Sequence, residues 1–582
     1  MRRPRQELKF RPRRSLQPGW AGCALWALAW VSAQACTPGE NSPGEDPPSD
    51  EFSFPHGMLL DPRVSPEAGA SCESDADCDD GSSCAAGVCR ARPRWMLVAN
   101  ANSDLRFNAG TLMAVDLDAF FEALEGSEVR LPGETPTAQR PCRRADLTPE
   151  VVECEESYFV REESTVRLGN FLSQPAGWNC EVLESGPASA PGEARPQWFT
   201  RHCPQDEAMI LTPVNGDPSV SYAYLQGGLE DDQLHIECGQ GNGIACSDDF
   251  RLDRMRNDPE RVRLSRELVN LKVSSDPRFP YAFGTHRTQG AASLFKLDGL
   301  RGPYDPGDWH DPLQEPADEV TLIDEPEKPA LIDLTTIFTS VGGGAYGLAQ
   351  RPCDRDDAPT ITKACSEPLM YAGYRAAAAI LEFSTTAVLP GDLGPTQACD
   401  GPSAVDDDET SLVECEAQIA TSKQFSTGGL NTFGIAPTLT GDMAFSSDGE
   451  ALFVVASNPG ALIRINTGVD ANGDTIDEPN AYIELCDRPA SMVLYEDGLA
   501  RYAVASCYRS SEIFIIDADA MEVVTFVRAG TGPHRLTVDY AREVIYVGNT
   551  LDATISVVDM GWESPTRFQH IARIGLQEPY SQ

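Results

Sequence analysis

Residues 532–560 read GPHRLTVDYAREVIYVGNTLDATISVVDM, a strand, a turn, a strand, a second turn and a third strand. Two earlier stretches have the same form: DRPASMVLYEDGLARYAVASCYRSSEIFIIDAD at 487–519 and TGDMAFSSDGEALFVVASNPGALIRINTG at 440–468. Asp517 and Asp559 each close an apolar strand, 42 residues apart, and Cys507 and Asn549 end the preceding strands at the same interval. The turns at Ser447–Gly449 and Glu496–Gly498 contain Asp-Gly, which suits a tight hairpin because glycine accepts positive φ without strain. Each copy is therefore a hairpin plus a third strand, with room for a fourth. A period in the low forties with four short strands per copy is the signature of a propeller blade. The insert GVDANGDTIDEPN at 468–480 explains the longer interval between the first two copies. The strands EVIYVGN and TISVVDM are nearly continuous β-formers, as expected of sheets buried on both faces.

The stretch IYVGNTLDATISVVD (545–559) is similar to the Y-V-x-N…V-x-V-I-D consensus of the YVTN-type (YncE-like) β-propeller family, and GTGPH (530–534) resembles its G-x-x-P turn between blades. The resemblance is good over Gly441–Met560 and implies an all-β propeller. Working backwards, WMLVANANSDLRFNAGTLMAVDLDA (95–119) repeats the pattern, and FPHGMLLDP (54–62) supplies its first strand. Middle blades are expected at 208–225, at 281–298, and at 343–350 with 368–384. That makes seven four-stranded blades over 52–582, with six and eight as alternatives, and with long disulfide-stapled loop insertions.

The first 35 residues read as a signal peptide: a basic segment, MRRPRQELKFRPRR, then an apolar one, WAGCALWALAWV, then a cleavage site. SAQAC (32–36) resembles the lipobox of bacterial lipoproteins, although Ala33 stands where that family usually has Leu. Lipidation of Cys36 leaves 16 of the 18 cysteines in the folded protein, an even number, whereas ordinary cleavage strands Cys36 as a lone thiol. Residues 36–51 then form a Pro/Gly/acidic tether. The expected location is the bacterial outer membrane, anchored through lipid; a periplasmic or secreted protein is the alternative. PRRSLQ (12–17) loosely resembles a twin-arginine export signal.

Acidic residues number 89 against 46 basic ones, a net charge of −43, which disfavours binding a nucleic-acid backbone. The spacing of Cys72, Cys78, Cys84 and Cys89 points to two disulfides, with three connectivities open, inside an insertion (64–93) in the first blade. The remaining twelve fall into couples: Cys142 with Cys154, Cys180 with Cys203, Cys238 with Cys246, Cys353 with Cys365, Cys399 with Cys415, and Cys486 with Cys507. The last couple joins two turns on one face of a blade.

Of the seven histidines, His56 and His534 both follow Pro at the entry to an innermost strand. When the ring closes they are neighbours at one mouth of the channel, near Arg535, either as metal or anion ligands or as hydrogen-bonded caps on the turns. The loop from Asp470 offers donors at Asp470, Asn472 and Asp474 for a weak calcium site, but Thr475 and Ala481 depart from the EF-hand pattern. No other cofactor is expected. VGGGAYG (341–347) lies at a blade entry, where close strand packing explains the glycines. No catalytic signature of the common hydrolase, zincin or nucleotide-binding types occurs. The leading expectation is a non-enzymatic envelope propeller that binds a protein or glycan. The rival is a lactonase-like or quinoprotein-dehydrogenase-like enzyme working at the channel mouth.

Overall fold

The computed structural model describes residues 45–577 apart from 65–67, 73, 79–80, 86, 127–128, 180–181, 186–197, 202–206, 230–232, 241–242, 256–261, 277–278, 298–327, 338–342, 353–367, 388–416, 428–437, 472 and 498. Seven antiparallel sheets form a ring, a seven-bladed β-propeller. Their innermost strands are Pro55–Leu60, Ala176–Trp178, Leu268–Val273, Ala345–Gln350, Thr438–Phe445, Pro489–Glu496 and Pro533–Asp539. Each blade runs outward from there in chain order, so no blade draws its four strands from both ends of the chain. Among the described residues, no helix is long and apolar enough to cross a membrane.

The continuous apolar strands are explained by how the blades share their cores. Val544 and Tyr546 pack against the first blade, through Met58, Met96 and Val98. Ile545 and Val547, pointing the other way, pack against the sixth blade through Val504 and Ile515. Trp95, Leu97 and Ala99 likewise join the second blade, while Met96 and Val98 join the seventh. Side chains in a strand alternate between faces, so a strand with a neighbour on both sides needs apolar residues at every position. Cores between adjacent blades occur all the way round.

Polar contacts stitch the inner ring. Gln174 bridges the second blade to the backbone of Met58 in the first. Asn270 Nδ2 donates to the Tyr346 carbonyl at 3.3 Å, and Thr440 Oγ1 to the Tyr374 carbonyl at 2.7 Å. Ser506 Oγ donates to the His534 carbonyl at 2.7 Å. The closing junction is made by Thr537 Oγ1, which donates to the Met58 carbonyl at 3.0 Å.

Closure is reinforced at the rim. A hairpin of Cys142–Arg144 and Val152–Cys154 leaves the first blade and adds to the outer strand of the seventh, His570–Ile574, in parallel register. A disulfide joins Cys142 to Cys154, and Glu153 sits between Arg143 (2.8 Å) and Arg573 (3.4 Å). Arg542 of the seventh blade reaches Asp118 and, at 2.8 Å, the Pro93 carbonyl. The Cys-rich stretch forms a three-stranded sheet (Ala68–Ser71, Ser82–Ala85, Val88–Ala91) between the first two strands of blade one, held by Cys72–Cys84 and Cys78–Cys89. It too leans on the seventh blade: Ser83 donates to the Ala541 carbonyl and Arg90 lies 5.0 Å over the Tyr540 ring.

Disulfides also join Cys238 to Cys246 and Cys486 to Cys507. Three of the expected couples lie outside the described residues: Cys180 and Cys203, Cys353 and Cys365, and Cys399 and Cys415. Cys36 lies outside them as well. Of the glycine run at a blade entry, Gly344 is a packing feature. A Cβ on Gly344 would stand 1.7 Å from the His286 carbonyl oxygen and 2.7 Å from Gln289 O, backbone atoms that cannot step aside. Gly344→Ala is therefore expected to destabilise the third and fourth blades by about 1–3 kcal/mol or more, read as a lowered melting temperature. An unchanged melting temperature would contradict this packing.

Candidate functional site

Once the innermost strands are aligned by register, the residue two places after each entry position falls in one layer across the bore. Pro533, Pro489 and Pro55 pair with the last residue of their neighbouring strands, Asn549, Cys507 and Asn100. The layer contains Arg535, Ser491 and Gly57, with Asn270, Gly347 and Asp442 from the third, fourth and fifth blades.

Arg535 crosses the channel at this level. Its Nη1 donates to both carboxylate oxygens of Asp442, at 2.7 and 2.8 Å. Its Nη2 reaches the Val269 carbonyl at 3.5 Å and the Tyr346 hydroxyl at 3.4 Å, and the guanidinium lies 5.6 Å from the Tyr346 ring centroid. Ser491 Oγ donates to the same Asp442 carboxylate. One side chain from the seventh blade thus ties together the third, fourth and fifth, and closes the bore. Arg535 is 4% exposed and Asp442 7%. Burial would lower the Arg535 pKa, but the Asp442 carboxylate outweighs it and holds the group above the usual arginine range. Both charges are spent on each other.

Above this plug stand His56 and His534, on the blades that meet at closure. Their rings lie edge to face with centroids 4.2 Å apart, and Tyr508 stacks edge-on to His534 at 6.2 Å. The rings are half-buried, but Nδ1 of each is sealed and has no hydrogen-bond partner. Burial, with the nearby Arg535 charge, pushes His56 down to about 3. Burial, then His56 and Arg535, drives His534 well below its ordinary value. The pair is two neutral imidazoles. Among the described residues no third His, Cys, Asp or Glu donor converges on them, and a guanidinium beside them opposes a cation. The three cysteines that do approach within ligand distance of one another, Cys72, Cys78 and Cys89, are in disulfides.

The calcium expectation fares differently. Asn472 lies outside the described residues. Asp470 Oδ1 accepts the Asp474 amide at 3.0 Å and the Asp470 amide donates to the Asp474 carbonyl at 2.8 Å, so this carboxylate caps its own turn.

These histidines fix a pH dependence. An unfolded imidazole takes up its proton near 6.5, while folded His56 and His570 do so near 3 and His286 near 4. As pH falls below 6.5 the unfolded chain gains protons that the folded one refuses. The contribution to stability is full above 6.5 and drains away toward 3, by up to about 1.4 kcal/mol per pH unit for each histidine. Glu156, raised by burial to about 7, acts in the opposite sense between 4.5 and 7. The clean test is a difference: a variant with His56→Gln and His534→Gln should show a shallower fall in melting temperature from pH 7 to 5 than the parent. Equal slopes would contradict the neutral-pair assignment.

Below the plug, on the side toward which the innermost strands run, lies a cavity of about 300 Å³. All seven blades contribute to its wall. The sequence picked out His56, His534 and Arg535, and the structure brings them together at one mouth. It missed Asp442, Ser491, Tyr346, Asn270 and Lys272. Their signal was positional: Pro489-Ala490-Ser491 and Thr440-Gly441-Asp442 stand in register with Pro533-His534-Arg535.

Among solved structures the chain is similar to Kuenenia stuttgartiensis hydrazine synthase, at 10% identity and a TM-score of 0.38, over 82% of this chain and 94% of that one. It is also similar to a structural-genomics protein from Lactobacillus plantarum, at 10% identity and a TM-score of 0.36, over 68% of this chain and 98% of that one. No family model and no curated protein matches the chain, so the fold assignment rests on its own seven sheets.

Proposed function

We propose that this chain is a YVTN-type binding propeller, held to the bacterial outer membrane through lipid on Cys36, that engages a protein or glycan on the face carrying the turns between second and third strands and does no chemistry. The observation that carries the reading is the Arg535–Asp442–Ser491 layer. The strongest charges of the channel neutralise each other across four blades, an arrangement that rigidifies the ring, whereas an acid or base catalyst must be able to exchange its proton with a reactant. The turns between second and third strands share one face, and there Leu105 (57% exposed) and Leu551 (51%) project from the adjacent first and seventh blades. Leu499 (62%), between the first and second strands of the sixth blade, marks the opposite face.

The experiment compares binding of purified protein to isolated cell envelopes. Leu105→Glu with Leu551→Glu should abolish binding, and Leu499→Glu should leave it intact. Equal binding by all three sinks the reading. Cys36→Ser should in turn release the expressed protein from the membrane fraction. A second reading, an enzyme at the channel mouth, draws on the two bare Nδ1 atoms, which are proton acceptors by chemistry. It requires that alanine at His56 and His534 abolish a measurable turnover; in the binding reading alanine there changes stability alone.

A further inference from the structure

We propose that the outer strand of the sixth blade, Glu522–Arg528, pairs antiparallel with the same strand of a second copy of this chain, joining two propellers rim to rim. The strand reads EVVTFVR and is the last of its four-stranded sheet. Three neighbouring side chains on it face solvent: Val523 (40% exposed), Val524 (47%) and Phe526 (56%). Among the described residues, the outer strands of the other six blades expose no large hydrophobic side chain. Phe526 is held in place by stacking on Phe514, with ring centroids 6.1 Å apart. Val524 is skipped by the ladder to the strand inside it: Thr525 faces Ile515 and Val523 faces Ile516, so Val524 has no cross-strand neighbour within the blade. An apolar edge of this kind offers its backbone to another strand.

Other edges of the ring are covered or blunted by the chain itself. The hairpin at 142–154 adds to the seventh blade. On the first blade, Thr165 Oγ1 donates to the Ser49 carbonyl at 2.8 Å and Ser49 Oγ to Glu162 at 3.0 Å, so the chain ahead of the first strand lies against the outer one. The outer strand of the fifth blade carries Pro479, which cannot donate to a ladder. Among the described residues, the edge of the sixth blade has neither device.

The strand's own sequence says what fits it. A two-fold axis through Thr525 sets Glu522 opposite Arg528 of the second copy and Arg528 opposite its Glu522, with Val524 opposite its Phe526. Both ends gain a pair of opposite charges and the middle an apolar cluster, the combinations that stabilise adjacent strands. Parallel pairing in register would instead set each charge beside its like. The two-fold contact uses one patch on both copies, so it closes at a dimer and does not grow into a fibre. The net chain charge of −43 opposes the approach of two copies, so the contact forms where salt screens that repulsion.

The edge lies on the rim and rests on different residues from the binding reading, so either proposal can fail without the other. The test is sedimentation velocity of the purified protein at about 0.15 M salt, where screening reaches about 8 Å. The parent should sediment as a dimer at micromolar concentration. Val524→Lys, a charge in the middle of the edge, should give a monomer. Glu522→Arg alone and Arg528→Glu alone each set like charges opposite one another and should weaken the dimer about tenfold. The two together restore opposite charges and should recover the parent affinity. These side chains are exposed, so every variant should keep the parent melting temperature, which confirms that it folds. A monomeric parent, a dimer that survives Val524→Lys, or a double charge variant no tighter than the single ones each overturns the proposal.

Discussion

Asp442→Ala is expected to cost about 3–5 kcal/mol of stability, the range for breaking one side of a buried ion pair. The loss is larger than the worth of the pair itself. Removing the carboxylate leaves the Arg535 guanidinium enclosed, with only the long contacts to the Val269 carbonyl and the Tyr346 hydroxyl. Ser491 loses its acceptor as well. Replacing both partners by apolar residues of similar size, Arg535→Met with Asp442→Leu, should recover much of the deficit, because no uncompensated charge remains. The measurement is the shift in denaturation midpoint for the single and double variants. A single variant as stable as the parent would mean that Arg535 does not span the bore.

Loss of the Cys142–Cys154 disulfide, as Cys142→Ser with Cys154→Ser, is expected to remove about 3 kcal/mol, by the chain-entropy estimate for a loop of this length. Where the loss appears is more telling than its size. The hairpin that this disulfide closes pairs with the outer strand of the last blade, more than 400 residues away in sequence, through Ala572, Arg573 and Ile574. Hydrogen exchange should therefore accelerate at His570–Ile574 as well as at 142–154. Removing Cys238–Cys246, which lies on the second blade, should leave His570–Ile574 protected. Acceleration confined to 142–154 would show that the hairpin does not clamp the seventh blade.

Much of the fold was legible in the sequence because blades are copies. The equal intervals Asp517–Asp559 and Cys507–Asn549, and the apolar residues at consecutive positions of EVIYVGN, follow from one strand serving two cores. The pair His56 and His534 was legible for the same reason, since Pro-His marks one structural position in the first and last copies. The rim clamp was not. Cys142–Arg144 and Val152–Cys154 are too short to announce themselves as strands, and their partner lies at the far end of the chain. Asp442 and Ser491 were missed because each looks like an ordinary polar residue in its own blade. Only the ring places them against Arg535.

The whole account depends on the first and seventh blades being neighbours. Spin labels introduced through a bio-orthogonal amino acid at Leu105 and Leu551, both exposed on the same face, measure this directly. Packed sheets are about 10 Å apart, so a closed ring predicts a separation of about 10–25 Å once the label arms are included. An open stack of seven sheets, with six such intervals, would instead place the labels about 60 Å apart and contradict the closed ring.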